Sequence, residues 1–120
     1  MVANALNLTV LAGEASGPAT VRELPSGRRL GTVSVRVRLG EEPATSVPVA
    51  IWDPPAWLDA IEGGEELVVL GRVVRRFFRS GAGTGSRVEV EAATALRAPD
   101  RRRREATWRK AAAVLEELLA

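Results

Sequence analysis

Apolar and polar residues alternate with a period of two over most of the first hundred positions, which is the spacing of half-buried β-strands. The clearest run covers residues 29–39, where Val33, Val35 and Val37 alternate with serine and arginine. Proline, serine and glycine at 25–27 mark a turn before that run. Strands are also predicted at residues 6–13, 20–24, 47–52, 66–78 and 87–93. Pro48 indicates a sheet edge or a bulge, because proline cannot donate a ladder hydrogen bond.

A short helix is predicted between the fourth and fifth strands. Asp53 is suited to cap it, Pro54 and Pro55 suit its first turn, and glycines at 63–64 suit its end. Trp57 lies on its apolar face and is expected in the core. Many short strands and one helix predict a small closed all-β barrel, since closure removes exposed strand edges. The position of the helix is typical of a five-stranded OB-fold.

The last residues form a second region. We predict a domain at residues 4–97 and, at 98–120, a basic linker followed by an amphipathic helix that starts at Glu105. The four arginines at 101–104 favour a solvated linker that adds phosphate contacts. One helical stripe is apolar and consists of Trp108, Ala111, Ala112, Leu115, Leu118 and Leu119. Packing on the domain and helix–helix contact in an oligomer would both cover this stripe.

Composition excludes several classes of site. The 120 residues include no Cys and no His, so a Ser/His/Asp or Cys/His site and a thiolate zinc site are impossible. We therefore expect no enzyme, no cofactor and no metal site. A chain without Cys fits a reducing cytoplasm, and no signal peptide or membrane span is predicted. Sixteen of the 17 basic residues are Arg, although the net charge is only +2. Arginine enrichment suits phosphate contacts but equally fits a GC-rich genome.

The candidate binding surface lies on one face of the strand at 66–78. Leu67, Val69, Gly71 and Val73 are expected to face the core, and Phe77 is expected to pack. The opposite face carries arginines and an aromatic ring, which would contact phosphates and stack on bases. With neighbouring positions, the predicted nucleic-acid-binding residues are Arg36, Arg38, Trp52, Arg72, Arg76, Phe78 and Arg79. The competing interpretation is an ordinary solvated face, on which Glu89 and Glu91 neutralise some arginines.

The glycine-rich tip at residues 81–85 lacks the Gly-Lys-Ser/Thr ending of a phosphate-binding loop and does not open a helix. We interpret it as a flexible hairpin.

In their order and spacing, four segments resemble the bacterial single-stranded DNA-binding protein (SSB) family. They are residues 7–13 (NLTVLAG), 22–27 (RELPSG), 49–52 (VAIW) and 63–72 (GGEELVVLGR). The resemblance covers about residues 4–96 and implies an OB-fold that assembles into a dimer or tetramer. It also implies base stacking at Trp52 and Phe78, which match two aromatic positions of that family.

The chain departs from the family at two further aromatic positions. The segment after Leu39 is short, and Ser46 stands where an aromatic residue is expected. The C-terminal residues 118–120 (LLA) differ from the acidic, Phe-terminated tip of the family, so we do not expect recruitment of repair proteins through such a tip.

These features predict binding of single-stranded DNA with little sequence preference, in support of replication, recombination or repair. The expected setting is a cytoplasmic, nucleoid-associated homo-oligomer, with replication or repair proteins as further partners. Two alternatives stay open. One is a primosome-type accessory protein that serves as an adaptor, and the other is a protein-interaction module that has lost DNA binding. The second would use the C-terminal helix as its working surface.

Overall fold

The computed structural model describes residues 5–98 and 101–120. Within these residues, six strands, one short 3-10 helix and one C-terminal α-helix are present. In chain order they are β1 (Thr9–Ala15), β2 (Thr20–Glu23), β3 (Arg29–Val37), β4 (Thr45–Trp52), the 3-10 helix (Ala56–Ala60), β5 (Glu66–Ser80), β6 (Gly83–Arg97) and α1 (Arg101–Leu119). The predicted mostly-β architecture with a C-terminal helix is therefore confirmed.

The strand pairings form a continuous ring. The order is β1-β5-β6-β4-β3, and β1 also pairs with β3, while β2 pairs with β3. Every pairing is antiparallel except β4 with β6, which has only two register pairs, Val49 with Val90 and Ala50 with Glu91. Pro48 lies just before this short contact, so its missing N–H breaks no pairing with β6.

The main core fills the inside of this ring. Val33 and Val35 from β3 and Val49 from β4 are buried there, as their alternation predicts. Leu58 of the 3-10 helix is fully buried against them, and Trp57 packs on the same cluster as expected. Burial of such side chains contributes about 1.5–3 kcal/mol each to folding. The short helix therefore covers the core.

A second apolar layer lies between β5 and α1. Val68 and Leu70 are buried against Ala111 of α1, with Val114 and Leu115 packed beside them. The helix therefore packs on the sheet of its own chain through part of the predicted stripe, while Trp108, Leu118 and Leu119 stay 46%, 43% and 41% exposed. The first half of β5 is buried on both faces, whereas alternation predicted one core face only.

The register of β5 against β6 shifts between Leu70 and Gly71. A Cβ atom on Gly71 would lie 2.1 Å from the carbonyl oxygen of Glu91, so a larger residue cannot occupy this position without a backbone shift. Beyond this bulge β5 and β6 continue as a long hairpin. Val73, predicted to be in the core, is 43% exposed there.

Several predicted boundaries differ from the structure. β1 continues through Gly13 to Ala15, and β6 is longer than the predicted 87–93 segment. α1 begins at Arg101, so the helix includes the basic run that was predicted to be a linker before Glu105. Residues 99–100 of that predicted linker lie outside the described residues.

Asp53 does not cap the short helix. Its φ is 46°, and the position before the helix is Pro55, which makes no side-chain capping bond. The predicted capping role of Asp53 is therefore wrong.

Candidate nucleic-acid interface

One outer face is shared by β3, β4, β6 and β5. Register pairs join Thr32 to Ala50, Ala50 to Glu91 and Glu91 to Arg72, which form one row across the four strands. Because side chains alternate along a strand, Arg36, Trp52, Arg76 and Phe78 share this face. We call it the outer face. A trough of about 440 Å³ crosses it, lined by residues that include Thr32, Ser34, Pro48, Arg87 and Glu89.

Phe78 lies near the tip of the β5–β6 hairpin and stays 47% exposed. It pairs with Gly85, where an added Cβ atom would lie 2.7 Å from Cζ of the Phe78 ring. The ring therefore rests over Gly85, which leaves room for it. This geometry supports Phe78 as a flat apolar platform at the end of the outer face.

Phe77 has the opposite orientation and is 75% exposed. The prediction that it packs is wrong, because the hairpin extends past the core that its face would otherwise contact. Val73 and Val88 follow the same side of the hairpin and are also exposed, at 43% and 49%. The alternation of residues along β5 correctly assigned side chains to the two faces of the strand. It could not show where along the strand the core ends.

Trp52 is half-buried, and one face of its ring is occupied. The guanidinium carbon of Arg28 lies 4.6 Å from the ring centroid, within the range of a cation–π contact. Arg28 follows Trp52 on this face because Leu30 is the register partner of Trp52. Arg28 is not among the binding residues predicted from the sequence, since only the strand register places it beside the ring.

Asp53 holds Arg28 in place. Its Oδ2 accepts hydrogen bonds from Nη2 and Nε of Arg28 at 2.9 and 3.1 Å, and its Oδ1 accepts the backbone N–H of Arg29 at 3.1 Å. The backbone N–H of Arg29, followed by the Arg28 side chain, lowers the pKa of Asp53 below its ordinary value. The unit of Arg28, Trp52 and Asp53 is thus preorganised.

Two of the predicted arginines are ion-paired. Arg72 contacts Glu91 at 3.1 Å, and Arg76 contacts Glu89 at 3.0 Å and also Glu91. Burial by itself would raise the pKa of Glu91, but hydrogen bonds from Arg72 and Arg76 outweigh it and lower that pKa. Glu89 is only 3% exposed, so Arg76 compensates a buried charge. Glu89 and Glu91 therefore neutralise these two arginines, as the competing interpretation of the sequence anticipated.

Three predicted arginines keep their charge uncompensated. Arg36 and Arg79 are exposed, and neither side chain forms an ion pair or hydrogen bond with any residue in the described part of the chain. Arg38 is also exposed and donates to the neutral backbone carbonyl of Glu42 at 3.2 Å. These side chains are the ones free to contact phosphate.

The two aromatic platforms lie at opposite ends of the outer face. Trp52 is two residues beyond Ala50 along β4, and Phe78 is six residues beyond Arg72 along β5, which runs in the opposite direction. At about 3.3 Å per residue this separation is roughly 25 Å. A ligand that contacts both rings must be extended over several nucleotide lengths.

Residues 5–98 and 101–120 contain neither a metal-binding cluster nor a membrane-spanning helix. No group of three Asp, Glu, His or Cys side chains there is arranged to hold a metal ion. No helix within the same residues has the length and apolarity needed to cross a membrane.

No family model and no curated relative matches this chain. Among solved structures, it is similar to the wild-type single-stranded DNA binding protein from Thermus aquaticus, with 26% identity and a TM-score of 0.65 over 80% of this chain. A deletion variant of the same protein gives 26% identity and a TM-score of 0.64 over 77% of this chain. The matches span 41% and 40% of the Thermus chains. The predicted resemblance is thereby confirmed in three dimensions, and the chain is a divergent SSB-like OB-fold protein.

Proposed function

We propose that this protein binds single-stranded DNA with little sequence preference along its outer face. The observation that carries the proposal is the placement of Trp52, Phe78 and an uncompensated arginine, Arg36, on one face of an SSB-like fold. Single strands are favoured because only unpaired bases expose their faces to aromatic rings. The strands of the ring would form the OB barrel that supports this surface.

Each group has a distinct role in the proposed mechanism. Arg36, Arg38 and Arg79 contact phosphates and release counterions, so the logarithm of affinity falls linearly with the logarithm of salt concentration. A base stacks on Phe78, whose outward surface is open. At Trp52 a base displaces Arg28 or takes the opposite ring face, and displacement frees the Arg28 guanidinium for phosphate.

Arg72 and Arg76 are expected to contribute less than their position on the outer face suggests. Each must give up a carboxylate partner before it can bind phosphate, and Arg76 would leave Glu89 as a buried charge. Their predicted role in DNA binding is therefore that of secondary contacts.

Fluorescence anisotropy of labelled oligo-dT and of duplex DNA, between low and physiological salt, tests the proposal. Trp52→Ala and Phe78→Ala should each weaken single-strand binding by roughly 5- to 150-fold, the equivalent of about 1–3 kcal/mol per stacked base. Phe77→Ala is the matched control, because it removes the neighbouring ring from the opposite face of the same hairpin. Equal weak binding to both DNA forms, unaffected by either substitution, would contradict the proposal.

The wider setting of the proposed activity is a homo-oligomer that acts on DNA in the cell. A homo-oligomer, dimer or tetramer, would extend the binding surface, and a role in replication, recombination or repair in the cytoplasmic nucleoid follows from the binding activity. Replication or repair proteins are the corresponding partners. No enzymatic step is proposed.

A second candidate function is an oligomeric, primosome-type adaptor or protein-interaction module with weak or lost DNA binding. The ion pairs of Arg72 and Arg76 favour it, because they remove positive charge from the outer face. In this case the exposed side with Val73, Phe77 and Val88 would be a protein contact. Sedimentation of Phe77→Asp, together with the DNA-binding measurement, tests this function. A changed assembly state together with absent DNA binding would support the adaptor. An unchanged assembly state together with tight DNA binding would exclude it.

A further inference from the structure

A second groove lies between α1 and the outer sides of β1 and β3, and none of the proposed contacts with bases uses it. Its volume is about 470 Å³, which is within the range of sites for nucleotide-sized ligands. Its lining includes Ala12, Gly13 and Val68 together with Arg36, Arg38, Arg104 and Trp108. We call it the α1–β3 groove.

The charge of this groove is net positive. Arg104 and Glu66 compensate each other through two hydrogen bonds of 2.8 and 2.7 Å. Glu14 is the other acidic residue in the lining, and it is the register partner of Arg36 on the adjacent strand. Because Arg38 adds a further guanidinium whose bonded partner is a neutral carbonyl, an anionic group is favoured there.

Trp108 supplies an aromatic wall that the fold does not bury. The residue before it, Thr107, is buried and donates its hydroxyl to the carbonyl of Arg97 at 3.1 Å, and Ala111 one turn later is also buried. These two contacts anchor α1 on the sheet and hold Trp108 at the groove, yet Trp108 stays 46% exposed. A large ring held beside free arginines is the combination that stacks bases in single-strand sites.

The groove is continuous with the outer face through Arg36. Arg36 pairs with Ser46 of β4 on one side and with Glu14 of β1 on the other. A strand that leaves the outer face at β4 and crosses β3 therefore meets Arg36 first and the α1–β3 groove next. One arginine belongs to both surfaces.

We propose that the α1–β3 groove is a second subsite for single-stranded DNA, in which a base stacks on Trp108 while flanking phosphates contact Arg36 and Arg38. This inference rests on the proposed function, because the groove receives the strand from the outer face. It assigns α1 a direct role in binding, beyond its packing on β5. The subsite lengthens the bound segment of DNA and adds affinity only for strands long enough to reach it.

The test is a length series of labelled oligo-dT, from about 8 to 35 nucleotides, measured by anisotropy with wild type and Trp108→Ala. For the longest strands Trp108→Ala should lose roughly 5- to 150-fold in affinity, the loss expected for one stacked base. For the shortest strands that wild type binds, the variant should match wild type. Trp108→Phe keeps a stacking ring and should retain most of the long-strand affinity.

Lys110→Ala is the matched control, since Lys110 is exposed on the same helix and does not line the groove. Thermal unfolding of each variant reports whether α1 still packs. The subsite would be supported if Trp108→Phe unfolds and binds like wild type while Trp108→Ala loses affinity in a length-dependent way.

Two outcomes would overturn it: equal affinity of wild type and Trp108→Ala at every length, or an equal loss at all lengths. If Phe78→Ala abolishes binding while Trp108→Ala is normal, only the second subsite fails. If wild type binds no single strand at any length, the proposed function fails with it.

Discussion

The two halves of β5 contain similar apolar residues but differ in how deeply these residues are buried. Before the bulge, residues 67–70 are at most 4% exposed, because the core covers one face and α1 covers the other. After the bulge, Val73, Phe77 and Phe78 are between 43% and 75% exposed. Of the arginines between them, Arg75 donates to Ser86 and Arg76 pairs with Glu89. One strand thus provides both the centre of the fold and the candidate interface.

The contrast shows that apolar character alone does not define a core residue. Val69 and Val73 lie on the same strand, but Val69 is fully buried and Val73 is not. What differs is whether a second layer lies over the position. The hairpin extends beyond every layer formed by residues 5–98 and 101–120, so its rings and guanidinium groups are available to a ligand.

The largest effect is expected for Leu70→Ala. Leu70 is fully buried between β5 and α1, so its truncation should lower the free energy of unfolding by about 2–5 kcal/mol. Val73→Ala on the exposed half should lower the free energy of unfolding by less than about 1 kcal/mol. Urea unfolding of both variants checks the contrast, and similar losses would mean that the two halves are equally buried in solution.

Arg76→Ala and Arg79→Ala should separate structural from DNA-binding arginines. Removing Arg76 leaves the buried Glu89 without its ion-pair partner and should cost about 1–3 kcal/mol of unfolding free energy. Removing Arg79 should leave stability within about 0.5 kcal/mol and reduce the slope of log affinity against log salt by about one. Chemical unfolding and salt titration of both variants measure this, and a reversed pattern would refute the assignment.

A smaller effect is expected from acid titration of Glu91. Its pKa is lowered in the folded protein, so its ionised form adds stability above its ordinary pKa, and this contribution is lost as pH falls through the lowered value. Glu91→Gln should therefore be less stable than wild type near pH 7, by about 1 kcal/mol or less. The difference should shrink towards low pH, and a pH-independent difference would show that the carboxylate charge is not its source.

Gly85→Ala is expected to change single-strand affinity more than stability. The new Cβ would press on the Phe78 ring at 2.7 Å, and the ring can move because it is the end of a side chain at an exposed tip. Unfolding free energy should change by less than about 1 kcal/mol, while single-strand affinity falls several-fold as the platform shifts. Calorimetry and anisotropy on the same sample check this, and unchanged affinity would argue against stacking on Phe78.

Alternation and turn residues were enough to predict most of the strands and the faces of β3. Val33 and Val35 are buried and Ser34 and Arg36 are exposed, as their spacing requires. The order of the elements and four short segments also predicted the SSB-like fold. Local sequence carries this information because the period of a strand and the geometry of a turn depend on neighbouring residues only.

The tertiary structure decided which outward positions are free. The burial of Val68 and Leu70 depends on α1, which is over thirty residues away in the chain. The cover of Arg28 on Trp52, the pairing of Arg76 with Glu89 and the opening beside Trp108 depend on registers between distant strands. Such contacts join residues far apart in sequence. A periodic pattern could therefore identify the candidate arginines and aromatic rings. It could not show which of them are available to a ligand and which are engaged in contacts within the fold.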